Sequence, residues 1–190
     1  MPGTLKVIDE QTLANIAMLE FAQSDGTGDI FRTNKCDELS YSAVISEGAE
    51  TILRVKNEIV ATNNFEDIQY GSDLSFKQVI FSPYMLAAID GGEVAVDESD
   101  EVTGYNPPAI GSPVARKEWD ISVYTDIKSG ANQGKYCKIT YKRCKGKPVS
   151  YSFKDGEFVV PEYTTSSRPA SGELPYTMEY VDELPKTTLE

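Results

Sequence analysis

The chain has 190 residues, 40% of them apolar and 25% charged, which is enough for one large domain with a real hydrophobic core and is not a disordered composition. Thirty acids against eighteen bases give a formal net charge of −12, which argues against a general nucleic-acid binder, because a phosphate backbone needs a basic footprint. Histidine is absent, which excludes Ser-His-Asp triads, Cys-His pairs and His metal ligands.

Residues 1–35 are ambiguous. The apolar run Leu13–Phe21 fits part of a helix and also a buried strand; strand is the preferred reading, with a turn over 23–29. From residue 39 the pattern alternates with period 2, as in half-buried antiparallel strands. A strand ends near Gly48. The next run places Leu53, Val55 and Ile59 on one face, and the following one Leu74, Phe76 and Ile80. One helix is expected in SPYMLAAIDGG, with Ser82 as cap, Pro83 in the first turn and Gly91 past the end. Its stripe is Met85, Leu86 and Ile89. Residues 91–117, rich in Gly, Pro and acid, read as one long exposed loop or an extended hairpin. Further on, Trp119, Ile121 and Val123 alternate with Asp120, Ser122, Tyr124 and Asp126, and Cys137, Ile139 and Tyr141 alternate with Lys138, Thr140 and Lys142. Asp155-Gly156 between alternating runs predicts a tight hairpin with a type I′ turn, and YTMEYVDEL is a last strand.

No chemical motif survives inspection. GTGDIF lacks the third glycine of a dinucleotide fingerprint. DESDE at 97–101 fails the EF-hand pattern, since Val102 stands where the loop glycine belongs. The three cysteines, Cys36, Cys137 and Cys144, fit neither a four-cysteine zinc site nor a secreted disulfide framework, and are read as reduced thiols. Cys137 and Cys144, seven apart on one strand, are expected on opposite faces. No metal, cofactor or catalytic residue is expected. No apolar run approaches the roughly 18 residues of a membrane helix, and the N-terminal residues do not resemble a signal peptide, so use without export or membrane is expected.

Charge is segregated along the chain. An acidic segment holds Asp90, Glu93, Asp97, Glu98, Asp100 and Glu101, with no Lys or Arg between Gln78 and Ala115. A basic one holds Lys128, Lys135, Lys138, Lys142, Arg143, Lys145 and Lys147, with Lys154 beyond and no acid among them. The expectation is that the two attract each other between copies of the chain.

EGAETILRVKNEIVATNNFEDIQYGSDLSF, SPYMLAAIDGG, GYNPP and the stretch from CKGKPVSYSF to VDELP, in that order over about residues 37–185, resemble the major tail, or tail tube, proteins of long-tailed bacteriophages and prophages of Gram-positive bacteria. The resemblance implies a single mainly β domain: a two-sheet antiparallel β-sandwich with one short flanking helix, a long loop and terminal arms. Residues 1–36 would be an N-terminal arm, 37–185 the sandwich with the loop 91–117, and 186–190 a tail. It further implies hexameric rings, stacked into a hollow tube that conducts DNA to the host without binding it specifically. The implied partners are the chain itself, the tape measure, the tail terminator and the baseplate, in a virion assembled in the bacterial cytoplasm. Two alternatives stay open: the inner tube of a contractile injection machine, and a baseplate or cell-surface sandwich that binds carbohydrate. For a DNA conduit an acidic bore is expected, since lysine–phosphate contacts repeated ring after ring would act as a brake. Asp120, Ser122 and Asp126 are the candidate lumen-facing residues.

Overall fold

The computed structural model describes residues 10–28 and 30–187. Twelve strands and one helix lie among them: β1 (Thr12–Gln23), β2 (Ile30–Thr33), β3 (Cys36–Ser46), β4 (Glu50–Val55), β5 (Glu58–Asn64), β6 (Ile68–Gln78), α1 (Pro83–Asp90), β7 (Glu93–Val96), β8 (Val102–Asn106), β9 (Glu118–Ser129), β10 (Tyr136–Gly146), β11 (Glu162–Ser167) and β12 (Tyr176–Val181). Eight strands make one antiparallel sheet in the order β2-β1-β9-β10-β11-β6-β3, with β12 also beside β10.

The sheet folds into two layers at β10. Residues Tyr136–Tyr141 of β10 pair with β12, whereas Cys144–Gly146 pair with β11. Between these two halves the register against β9 shifts, and Arg143 has φ of 53°. An inserted residue bends a strand and sharpens its twist, so β10 leaves one layer and enters the other. The first layer is β2-β1-β9-β10-β12 and the second β11-β6-β3. Their inner faces meet through rings: Phe21 of β1 lies 5.5 Å from Phe76 of β6, and Tyr41 of β3 stacks 5.5 Å from Tyr141 of β10. Leu19, Leu74, Trp119, Ile121, Val123 and Tyr163 fill the space between. The mainly β, antiparallel sandwich with one short helix is therefore present.

Helix α1 closes one end of this core. Its signals operate as expected: Ser82 accepts from the Met85 N–H, Pro83 begins the helix and Gly91 ends it at φ 85°. Met85, Leu86, Ala88 and Ile89 are buried. Trp119 Nε1 donates to the Ala88 carbonyl at 2.9 Å, tying helix to sheet. Gly146 is needed here, since a Cβ on it would lie 1.8 Å from the Ile89 carbonyl oxygen.

Several expectations are corrected. Within residues 1–36, read as an arm, the run Leu13–Phe21 is the strand it was read as: it lies in β1, β2 follows, and β1 lies beside β9 within the sheet with Leu19 and Phe21 in the core, while residues 1–9 lie outside the described residues. The run 50–64 is a hairpin turning at Lys56 and Asn57, so Ile59 pairs with Arg54 rather than continuing the Leu53–Val55 strand. Ile80 does not continue the Leu74–Phe76 face; β6 ends at buried Gln78 and Ile80 is exposed. Both Cys137 and Cys144 point inward and are fully buried, because the bulge at Arg143 resets the alternation. The Asp155-Gly156 signal makes a turn without a strand ladder. Only Gly156 has positive φ, whereas a type I′ turn needs it at both central residues. Of the two readings of residues 91–117, the hairpin is the one present: β7 and β8 pair, and an irregular stretch follows to Lys117.

Candidate functional site

The polar face of the first layer is built from cross-strand rows. Arg32, Glu20, Ser122, Thr140 and Thr177 form one row across five strands; Met18, Tyr124, Lys138 and Glu179 form the next. Charges in these rows cancel locally. Arg32 pairs with Glu20 at 2.6 Å, Lys138 with Glu179 at 2.9 Å, Lys128 with Asp126 at 2.7 Å and Lys135 with Asp182 at 2.9 Å. Hydrogen bonds from Lys128 and Asn15 hold the Asp126 carboxyl below the usual carboxylate range.

The three residues read as lumen-facing all lie on this face of β9, at different depths. Ser122 is only 4% exposed, and its hydroxyl meets that of Thr140 at 2.9 Å. Asp120 is half-buried and holds the bulge: one carboxylate oxygen accepts from Ser24 Oγ at 2.6 Å and from the Arg143 N–H at 3.0 Å. Asp126, also half-buried, sits nearest the β9–β10 turn.

The acidic segment divides in two. Asp90 turns inward, accepting from the Tyr105 hydroxyl at 2.7 Å and facing Arg116 at 3.6 Å. Burial, followed by this carboxylate, drives the Tyr105 hydroxyl far above its ordinary pKa. Glu93, Asp97, Glu98, Asp100 and Glu101 are exposed along the β7–β8 hairpin. Asp97 Oδ1 accepts from the Ser99 and Glu101 N–H groups, so it shapes the turn. Among the described residues no three Cys, Asp or Glu side chains converge as a metal site would require.

The basic segment is largely engaged within its own chain. Arg143 and Lys145 both reach Glu118, at 2.9 and 3.0 Å, and Lys147 reaches Asp73 at 3.2 Å. With Lys128, Lys135 and Lys138 paired as above, Lys142 alone of the seven forms no ion pair among the described residues. None of these pairs involves the acidic segment.

Sequence reasoning missed the largest feature, which is apolar. Among the described residues strands β4 and β5 pair only with each other, and Ile52, Leu53, Val55, Ile59 and Val60 are exposed on them, with Phe65 following. A second exposed group joins Phe81 to Tyr151 and Phe153, with ring centroids 6.0 and 5.6 Å apart; Val79 and Ile80 just before Phe81, and Phe158 and Val160 further along the 151–160 loop, are exposed as well. The available signal was apolar residues on both faces of short alternating runs, more than a half-buried strand can cover. Among the described residues the sheet also ends in strands with one free edge: β3 closes one end of the order, β2 the other, and β12 has β10 alone as partner.

No protein-family model and no curated protein matches the sequence. Among solved structures, a chain of the six-fold symmetrised baseplate of the anti-feeding prophage is similar over 96% of this chain and 100% of its own, with 11% identity and a TM-score of 0.44. A chain of the extended sheath–tube complex of an extracellular contractile injection system is similar over 86% of this chain and 88% of its own, with 12% identity and a TM-score of 0.41. At these scores neither likeness carries functional weight.

Proposed function

We propose that this chain is a non-catalytic structural subunit that joins copies of itself edge to edge into rings, which stack into the tube of a phage-type tail through which DNA passes. The observation that carries the proposal is the open sheet. β3 offers an edge of 11 residues with no proline or lysine, and β12 offers one of six. Long unprotected edges are templates for another chain, and monomeric proteins normally blunt them. Pairing the β3 edge of one copy with an edge of the first layer in the next is a head-to-tail contact, which closes into a ring when the rotation allows. The resemblance in sequence supplies the ring of six and the tail. The charge-paired face of the first layer suits a bore: its lysines are already held by carboxylates, so phosphates find few free cations to displace counterions from.

Hydrogen exchange on dilute and concentrated protein, with light scattering to follow size, tests this. Amides of β3 and β12 are expected to gain protection as the mass rises in steps of whole rings. Growth in mass with unchanged exchange in both strands contradicts edge pairing, and a strictly monomeric species at every concentration contradicts the whole proposal.

A further inference from the structure

The two exposed apolar groups lie at opposite ends of one strand. β3 and β6 are antiparallel, with Ser46 opposite Ile68 at one end and Cys36 opposite Gln78 at the other. The β4–β5 hairpin continues this pair beyond the Ser46–Ile68 end, linked by the Gly48 N–H to Asp67 and the Phe65 N–H to the Ala49 carbonyl. Val79, Ile80 and Phe81 follow the other end of β6. There the 151–160 loop is anchored by the Ser150–Glu162 bridge and by Glu162 opposite Lys77. A hairpin therefore projects from one end of the molecule and an aromatic patch covers the other.

Each group lacks what the other has. A two-stranded hairpin is marginal alone in water and needs an apolar cover. The loop 151–160 carries alternating apolar side chains, with Phe158 97% exposed. Among the described residues its only internal backbone hydrogen bond is that of the Glu157 N–H to the Lys154 carbonyl. It thus has free backbone groups to offer an incoming strand, together with the rings to cover that strand's side chains. Arg54 and Lys56, which form no ion pair among the described residues, sit near the hairpin tip, where aromatic faces attract cations.

We propose that the β4–β5 hairpin of one copy docks on the Phe81–Tyr151–Phe153 patch and the 151–160 loop of a second copy, as the axial contact between rings. This rests on the stacked-ring reading above and names the surfaces that stack. A single chain cannot satisfy both groups, because β6 separates them; a plug at one end and a socket at the other make an open, repeating contact. The 11 residues of β6 and the seven of β5 bound the axial repeat at roughly 35 to 60 Å, using about 3.3 Å per strand residue.

The test uses the full chain with Cys36→Ser, leaving Cys137 and Cys144 buried. One preparation carries Val55→Cys and another Phe153→Cys; Leu53→Cys and Phe158→Cys form a second pair. Mixed at assembling concentration under mild oxidation, one pair or both are expected to give the mixed disulfide dimer in excess over either preparation alone. Phe153→Ser with Phe158→Ser, both at exposed sites, is expected to leave rings intact while raising the concentration needed for stacking about tenfold or more. Stacks that form without mixed disulfide from either pair, and are indifferent to the double serine variant, overturn this contact and leave the ring proposal standing. Absence of rings at any concentration overturns both.

Discussion

Arg143 shows how much one residue decides. Its positive φ places the bulge that lets β10 serve two layers, and the Asp120 carboxylate caps its N–H. A left-handed residue favours glycine and penalises β-branching. Arg143→Gly is therefore expected to change stability by about 1 kcal/mol or less, whereas Arg143→Val costs roughly 1–3 kcal/mol, measured by urea unfolding. The neighbouring Glu118 carboxyl is held below its usual pKa of 4.5 by hydrogen bonds from Arg143 and Lys145. A depressed carboxylate contributes stability above its unfolded pKa that is lost as pH falls through the folded value. Glu118→Gln should accordingly flatten the acid limb below pH 4.5 in thermal melts; an unchanged limb assigns the acid sensitivity elsewhere. Burial lifts the Cys144 thiol to about 12 and the Cys36 thiol to about 11. Thiol titration at neutral pH should find Cys137 and Cys144 silent until the protein unfolds; rapid native labelling at Cys144 contradicts the inward turn after the bulge, and at Cys137 the burial of the first half of β10.

At the scale of elements, the helix is the clearest case of local chemistry becoming packing. Its cap residues set its ends, its stripe faces the core, and Gly146 lets the β10 backbone approach the Ile89 carbonyl. Gly146→Ala is expected to cost roughly 2–4 kcal/mol, because the obstacle is backbone and cannot swing aside; a neutral result by urea denaturation means that the helix sits further from the sheet. The same helix was legible in the sequence because caps and stripe are local. So were the inward rows of β6 and β9, where Leu74, Phe76, Trp119 and Ile121 alternate as read. The bulge was not legible, since an arginine carries no left-handed signature and only the change of partner along one edge of β10, from β12 to β11, demands one. The Asp155-Gly156 turn misled for the converse reason: a strong local signal cannot form a ladder without cross-strand and facing partners to bury Phe153 and Phe158. Of the charged segments, the acidic hairpin was visible as charge, but the engagement of the basic segment by Glu118, Asp73, Glu179 and Asp182 depends on strand neighbours far apart in sequence; only the Lys128–Asp126 pair is local.

At the scale of the whole molecule, the chain is a completed sandwich with open edges. The inner faces of its two layers are closed by aromatic contacts, while its edges, its hairpin and the 151–160 loop remain open. These openings point in different directions: β3, β2 and β12 run along the sides, and the hairpin and aromatic patch lie at the ends of β6. In the proposed assembly this keeps lateral and axial contacts apart, which is what a ring that also stacks requires. The net charge of −12 opposes the association of like subunits over distances set by the Debye length, about 10 Å at 0.1 M salt. Added salt should therefore promote assembly, in contrast to contacts held by the acidic and basic segments, which salt would weaken. Initial assembly rates compared at 50 mM and 500 mM salt separate the two: faster growth at high salt is expected from edge and apolar contacts, and slower growth would return the acidic and basic segments to the leading role. The most direct measurement of all is electron microscopy of the purified protein as its concentration is raised. Closed rings with a central hole, passing into hollow tubes, are the predicted result; a field of single small particles at every concentration and salt would contradict the assembly proposal.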